Sequence, residues 1–265
     1  MAAIARYAAQ AGAAVVRAAG LDGSAAERKA PGDYVTATDH EAQAVILRVL
    51  AAATPNLPVL AEEAAAVDWE RWGPTGAGWV VDPLDGTTNF TRGFPLVGVS
   101  VALLESGAPV AGAISAPFLG RSWHGFRGGG AFDEAGRRLR VGSRPGHHAV
   151  VATGFPFKAP GRRAGYLRML AEVLERVEDV RRPGAASLDL AFTAEGVFDG
   201  FFELGLRPWD IAAGALLVRE AGGMVTDWGG GDDPLAEGDI LAASPEVHAS
   251  LRAAVVAAGP TTGSA

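Results

Sequence analysis

The sequence predicts a mixed α+β protein, and three observations predict it. At 265 residues, with 49% hydrophobic and 20% charged residues, the chain can bury a large core and has the composition of a soluble globular protein. Between about residues 79 and 141, apolar runs are separated by glycine-rich turns, the pattern of antiparallel strands. Beyond Arg144, strand-like and helix-like segments alternate. The expectation is one domain over residues 1–265, with an N-terminal α+β half (about 1–145), a C-terminal α/β half (about 146–258) and a frayed tail (259–265).

Each element follows from local chemistry. Residues 2–19 are alanine-rich and interrupted by Gly12 alone, which predicts a helix that Gly20 and the Asp22-Gly23 pair would stop. A surface loop follows, then a second helical pattern after Asp39 that continues through residues 45–50. Residues 57–60 form a short apolar strand closing on Glu62 and Glu63. Trp79-Val80-Val81 reads as a buried strand. Asp82-Pro83 is expected to end it, because proline cannot donate to a ladder. A turn and a helix start come next.

Residues 96–104 and 109–115 flank Ser106-Gly107 as a hairpin, and residues 123–141 predict further antiparallel strands. The second half reads as a strand near Val150, a helix over 163–177, a short strand near Val180, a helix over 186–195 and a strand running to Glu203. Pro208 opens a helix that Gly222-Gly223 close; strands near Met224 and Ile240 and a last helix from Pro245 complete the chain.

Composition excludes several functions. No apolar run approaches the roughly 18 to 20 residues that span a bilayer, and the alanine-rich start lacks a basic region followed by a leucine-rich core, so a cytoplasmic protein without membrane contact is expected. The absence of cysteine removes disulfides, iron-sulfur clusters and thiolate zinc sites, leaving oxygen or imidazole for any metal. A formal charge of −7 opposes general nucleic-acid binding. For a phosphate ligand it favours a cation set between carboxylates and the anion. His40, His124, His147, His148 and His248 have neither zinc-ligand spacing nor a Gly-x-Ser-x-Gly partner, and no Walker A or dinucleotide fingerprint is present. The glycines of residues 125–130 lie between strand-like segments and read as hairpin turns.

The most informative stretch is Trp79-Val-Val-Asp82-Pro83-Leu84-Asp85-Gly86-Thr87-Thr88-Asn89-Phe90. Two carboxylates three residues apart flank a proline-directed turn, which can aim Asp82, Asp85 and the Leu84 carbonyl at one point. Hard cations such as magnesium take oxygen ligands of this kind. Gly86 and Thr87 follow where a helix would begin, so free backbone amides could hold a phosphate beside the metal. Taken alone, Asp-Pro and Asp-Gly are also common turn formers, Asp210 in Pro208-Trp209-Asp210 is also a favourable first-turn acid, and Glu62-Glu63 is also an ordinary solvated strand end.

The full string resembles the first signature of the inositol monophosphatase family, in which it supplies two metal-binding aspartates and the phosphate-holding turn. Residues 208–223 resemble the family's second signature, whose aspartate, here Asp210, binds a metal near the leaving oxygen. Ala61-Glu62-Glu63 stands where the family has Gly-Glu-Glu, which makes Glu62 a metal ligand. Asp33-Tyr-Val-Thr-Ala-Thr-Asp39 is similar to a further family stretch, and Lys29 lies where the family often carries an active-site-loop lysine. Glu203 corresponds to a glutamate that accepts a hydrogen bond from inositol. Gly184-Ala185-Ala186-Ser187 is similar to a family stretch whose backbone lies against the sugar ring, with Ala185 replacing a residue that is often Ser or Thr.

The resemblance covers nearly the whole chain and implies an α-β-α-β-α layered sandwich of the inositol monophosphatase and fructose-1,6-bisphosphatase type, a homodimer, and lithium sensitivity. It implies two or three Mg²⁺ per site. Glu62, Asp82 and the Leu84 carbonyl would hold the first, and Asp82, Asp85 and Asp210 the second; Thr87 with Glu62 would orient a water. Gly86 and Thr87 would bind phosphate, with Asp85, Gly184, Ala186, Glu203 and Asp210 towards the substrate. The substrate is a small phosphate monoester, inositol monophosphate first, with fructose 1,6-bisphosphate, histidinol phosphate and 3′-phosphoadenosine 5′-phosphate as alternatives. A regulatory or RNA-associated protein that keeps the fold is the alternative of another class.

Overall fold

Alanine's helix propensity and a buried stripe of Ala5, Ala8, Ala9, Gly12, Ala13 and Val16 make residues 2–19 an amphipathic helix, α1 (Ala2–Ala19), closed by Gly20 at φ 75°. The computed structural model describes residues 1–21, 27–30, 33–63, 76–157 and 159–259. Where a surface loop was expected, β1 (Glu27–Ala30) and β2 (Asp33–Val35) pair antiparallel. Strands this short and polar carry no readable alternation. Helix α2 (Ala37–Ala53) starts earlier than its apolar pattern, because the Asp39 carboxylate accepts from both the backbone N–H and the hydroxyl of Thr36.

The first sheet has six strands in the order β3-β4-β5-β6-β7-β8. These are β3 (Val59–Ala61), β4 (Ala77–Asp85), β5 (Gly98–Glu105), β6 (Ala108–Ala116), β7 (Arg121–Phe126) and β8 (Gly130–Asp133). Only β3 and β4 run parallel; the rest are antiparallel. Contrary to expectation, Asp82-Pro83 does not end β4. The register with β5 shifts between Asp82 and Asp85, and the β3 pairing stops at Val81, so Pro83 sits where the ladder is already interrupted. Ser106 and Gly107 turn the β5–β6 hairpin with φ of 49° and 77°, as a tight two-residue loop requires. The expected strands to residue 141 stop at Asp133, with a single bridge from Phe132 to Arg138 beyond it, because residues 134–138 offer no apolar alternation.

The second sheet has the order β10-β9-β11-β13-β12, built from β9 (Val150–Thr153), β10 (Asp179–Arg181), β11 (Gly200–Glu203), β12 (Met224–Thr226) and β13 (Ile240–Ala243). β9 is parallel to β10 and β11, whereas β13 is antiparallel to β11 and β12. After the five-residue α3 (Thr87–Thr91) come α4 (Arg163–Leu174), α5 (Ala186–Glu195), α6 (Pro208–Glu220), the unexpected α7 (Pro234–Glu237) and α8 (Pro245–Ala258). Residues 260–265 of the expected frayed tail lie outside the described residues.

These elements stack in five alternating layers. α1 and α2 cover one face of the first sheet; α5 and α6 lie between the two sheets; α4 and α8 cover the outer face of the second. Three apolar clusters fill the gaps, centred on α1 and α2, on α5 and α6, and on α4 and α8. The middle layer is tight because Gly214 of α6 faces α5: a Cβ there would stand 2.4 Å from the Cβ of Leu190. Closeness of that kind sets α6, with Asp210 in its first turn, against the end of β4.

Candidate active site

Backbone register assembles the acids. Ala61 of β3 pairs with Val81 of β4, and the Glu62 N–H donates to the Val81 carbonyl at 3.1 Å, so the next residues along, Glu62 and Asp82, emerge side by side. Asp82 is almost completely buried. Burial raises its pKa well above the ordinary carboxylate value, and the charges of Glu62, Asp85 and Asp210 push in the same direction, while the Leu84 N–H donating at 2.9 Å opposes them. Four acids from three separated stretches therefore act on one point, with Asp82 at its centre.

Asp85 is fixed from across the molecule. Its Oδ2 accepts the backbone N–H of Ser187 at 2.7 Å and the Ser187 hydroxyl at 2.6 Å, in the first turn of α5. Gly98 provides the room, since a Cβ on it would stand 2.3 Å from that hydroxyl oxygen. Asp210 caps its own helix by accepting the Arg207 N–H at 2.6 Å. With the carboxylates turned onto these local donors, no three acidic or histidine side chains among the described residues close around one ion as they stand. The donor set nonetheless fits a hard divalent cation: every group is an oxygen, and gathering four carboxylates in a partly buried site is costly without positive charge.

The turn after β4 behaves as its sequence predicts. Gly86 is left-handed at φ 90° and ψ 36° and starts α3. A Cβ there would stand 3.0 Å from the Leu96 carbonyl, 3.3 Å from the Ala185 Cβ and 3.4 Å from the Gly184 carbonyl, so glycine is needed for conformation and for space. The same approach brings Gly184-Ala185 against the turn. The Asn89 amide ties both segments by donating to Leu96 and Pro183 carbonyls at 2.8 and 2.9 Å. The Thr87 hydroxyl donates to the Leu84 carbonyl at 3.2 Å and to Asp39 at 3.4 Å.

Glu203 ends β11, and its carboxylate fills the space beside Gly154, where a Cβ would stand 2.0 Å from it. Ala186 is buried at the start of α5. Lys29 belongs to β1, but its side chain lies outside the described residues.

Three contributors were given no role by the sequence: Asp39 and Ser187 stand within stretches that resemble the family's, and Asp189 in none. Ser187, which closes the family-like stretch Gly184-Ala185-Ala186-Ser187, holds Asp85 from the first turn of α5. Asp39, raised in pKa mainly by burial, joins Thr36 to Thr87. Asp189 of α5 is fully buried with both carboxylate oxygens unpaired, and burial, then Glu203 and Asp85, hold its pKa well above the usual range. Nothing in its immediate sequence distinguishes it from a surface helix acid.

Comparison with known proteins agrees with this geometry. The model of the inositol monophosphatase family matches residues 1–259. The chain is 45% identical to an inositol-1-monophosphatase of Mesorhizobium japonicum, over 86% of this chain and 84% of that protein. It is 40% identical to Nus factor SuhB of Escherichia coli K12, over 88% and 86%. The solved structure of inositol monophosphatase from Anabaena (Nostoc) sp. PCC 7120 superposes with a TM-score of 0.84 at 34% identity, covering 98% of this chain and 96% of that one. Layer order, acid cluster and similarity along nearly the whole chain lead to one conclusion: the protein belongs to the inositol monophosphatase family.

Proposed function

We propose that the chain is a magnesium-dependent phosphatase that hydrolyses a small phosphate monoester, with inositol monophosphate as the leading substrate. The observation that carries this reading is the convergence of Glu62, Asp85 and Asp210 on the buried Asp82, beside the left-handed Gly86 turn. Glu62, Asp82 and the Leu84 carbonyl would hold one Mg²⁺, Asp82, Asp85 and Asp210 a second, with a third, weaker position near Glu62. When bound, the ions supply an activated water and neutralise charge on the phosphate and the leaving oxygen.

The chain's own groups do the rest. The Gly86 and Thr87 amides donate to the phosphate at the start of α3. The Thr87 hydroxyl, with Glu62, orients the attacking water in line with the ester bond. Asp82 would be a ligand of both ions, a role that a neutral amide in its place would not fill. Glu203 accepts from a substrate hydroxyl while the Gly184 and Ala186 backbone flanks the ring. The reading includes the family's homodimer, lithium sensitivity and a cytoplasmic location; no helix among the described residues is long and apolar enough to cross a membrane.

Similarity to a protein named Nus factor SuhB supports a second reading, a regulatory binding role on the same fold. Phosphate release from inositol, sugar, histidinol and nucleotide phosphates, with and without Mg²⁺ and Li⁺, separates the two. The Asp82→Asn variant should lose more than about a hundredfold of turnover while keeping its circular dichroism spectrum. Wild-type-like rates in that variant would remove the hydrolytic reading.

A further inference from the structure

We propose that Asp239, anchored by Arg162, is a positioning residue for the proposed reaction. It fixes the connection between β11 and α6, and so sets Glu203, the contact to a substrate hydroxyl, relative to Asp210, a ligand of the second ion. The proposal rests on the phosphatase reading. Glu203 is the last residue of β11 and Asp210 lies in the first turn of α6, so residues 204–207 belong to neither element. A stretch without a ladder of its own keeps one shape only where partners outside it satisfy its backbone.

Residues 238 and 239 supply those partners. Helix α7 ends at the left-handed Gly238, φ 72°, whose carbonyl accepts the Leu206 N–H at 2.7 Å. The approach is close: a Cβ on Gly238 would stand 2.5 Å from the Leu206 carbonyl oxygen. Asp239 follows, directly before Ile240, which pairs with Glu203, and its Oδ1 accepts the Gly205 N–H at 3.2 Å. Arg162 grips the same carboxylate with both terminal nitrogens, Nη1 donating to Oδ1 at 2.7 Å and Nη2 to Oδ2. Arg162 closes the short 3₁₀ turn Pro160–Arg162 ahead of α4. Residues before it touch the connection twice more: a Cβ on Gly205 would stand 3.8 Å from that of Ala159, and Gly154 lies against the Glu203 carboxylate.

Asp239 is only 8% exposed, and a two-pronged guanidinium with an added amide keeps a buried carboxylate charged and in one orientation. The third donor makes the pair more than a brace. It is the amide of Gly205, two residues from Glu203, and two residues further on the Arg207 N–H caps Asp210 at 2.6 Å. A substrate that spans the site, with its phosphate at the ions and a hydroxyl at Glu203, needs both ends of the connection in place. A substrate without that hydroxyl needs only the Asp210 end, which the buried face of α6 holds by its own packing.

The test compares Asp239→Asn, Arg162→Met and their double variant. In each, hydrogen exchange of the Gly205 and Leu206 amides should quicken about tenfold or more. KM for inositol monophosphate should rise about tenfold, with kcat and the KM for phenyl phosphate little changed. Arg162→Met leaves a buried carboxylate without its cation and should lower the melting temperature most; the double variant removes that charge and should recover stability without recovering KM. Unchanged exchange at both amides, an equal rise of KM for both esters, or a KM that returns with stability in the double variant would overturn the proposal. A wild type that hydrolyses neither ester refutes the phosphatase reading, and with it any part for Asp239 in turnover. Active variants with the wild-type preference between the two esters refute the positioning role alone.

Discussion

Ser187→Ala isolates the role of positioning in the proposed metal site. The hydroxyl donates to Asp85 Oδ2 at 2.6 Å and the backbone N–H of the same residue donates to the same oxygen at 2.7 Å, so the substitution removes one of two bonds and leaves the carboxylate tethered. A hydrogen bond to a charged acceptor contributes about 1.5–3 kcal/mol, and outer partners of metal ligands typically govern affinity by about 10- to 100-fold. The magnesium concentration for half-maximal phosphate release should therefore rise about tenfold, with thermal stability lowered by about 1 kcal/mol or less, since the lost group is small and the amide bond persists. Gly98→Ala reaches the same oxygen from the opposite side, because its Cβ would stand 2.3 Å from the Ser187 hydroxyl oxygen and displace it. Both variants should shift the magnesium curve alike. An unchanged magnesium requirement in Ser187→Ala would refute the claim that Asp85 is held for a cation by this contact.

Gly154→Ala should crowd the Glu203 carboxylate, 2.0 Å from the new Cβ, and raise KM for inositol monophosphate by about tenfold while a substrate lacking ring hydroxyls, such as phenyl phosphate, is little affected. Equal effects on both substrates would separate Glu203 from substrate hydroxyls. Saturating Mg²⁺ should stabilise the fold by about 2.7 kcal/mol at one hundred times its Kd, and the gain, read from thermal melts, should vanish in Asp82→Asn. His248 is buried, and its ring Nε2 is 2.9 Å from the Thr226 hydroxyl. Burial, then Arg252, depresses its pKa below the ordinary 6.5, so its contribution to stability is complete above 6.5 and is lost as pH falls through the interval beneath that value. Urea midpoints should accordingly drop more steeply from pH 7.5 to 5.5 in the wild type than in His248→Gln, and parallel slopes would show that this histidine does not titrate with unfolding.

Which features could be read from sequence follows from how far apart their causes lie. Elements set by local chemistry, such as α1 with its alanine stripe, the Ser106-Gly107 hairpin and α6 between Pro208 and Gly222, stand where composition places them. Pro83 was misread because its effect depends on neighbours: a proline ends a strand only where both ladders need its N–H, and here the β3 ladder has stopped and the β5 register has slipped. The same distinction holds in the site. Asp82 and Asp85 announce themselves as a pair in one turn, while Ser187 and Asp39 gain their meaning from contacts 102 and 48 residues away. Gly98 shows the limit most plainly. In sequence it is one more small residue opening a strand, yet its missing side chain is the space in which the Ser187 hydroxyl meets Asp85. An absence of atoms has no periodicity or motif, so packing of this kind becomes visible only when the α5 layer is laid against the first sheet. The acids around Asp82 are legible as chemistry, and the small residues that let their partners approach are legible only as geometry.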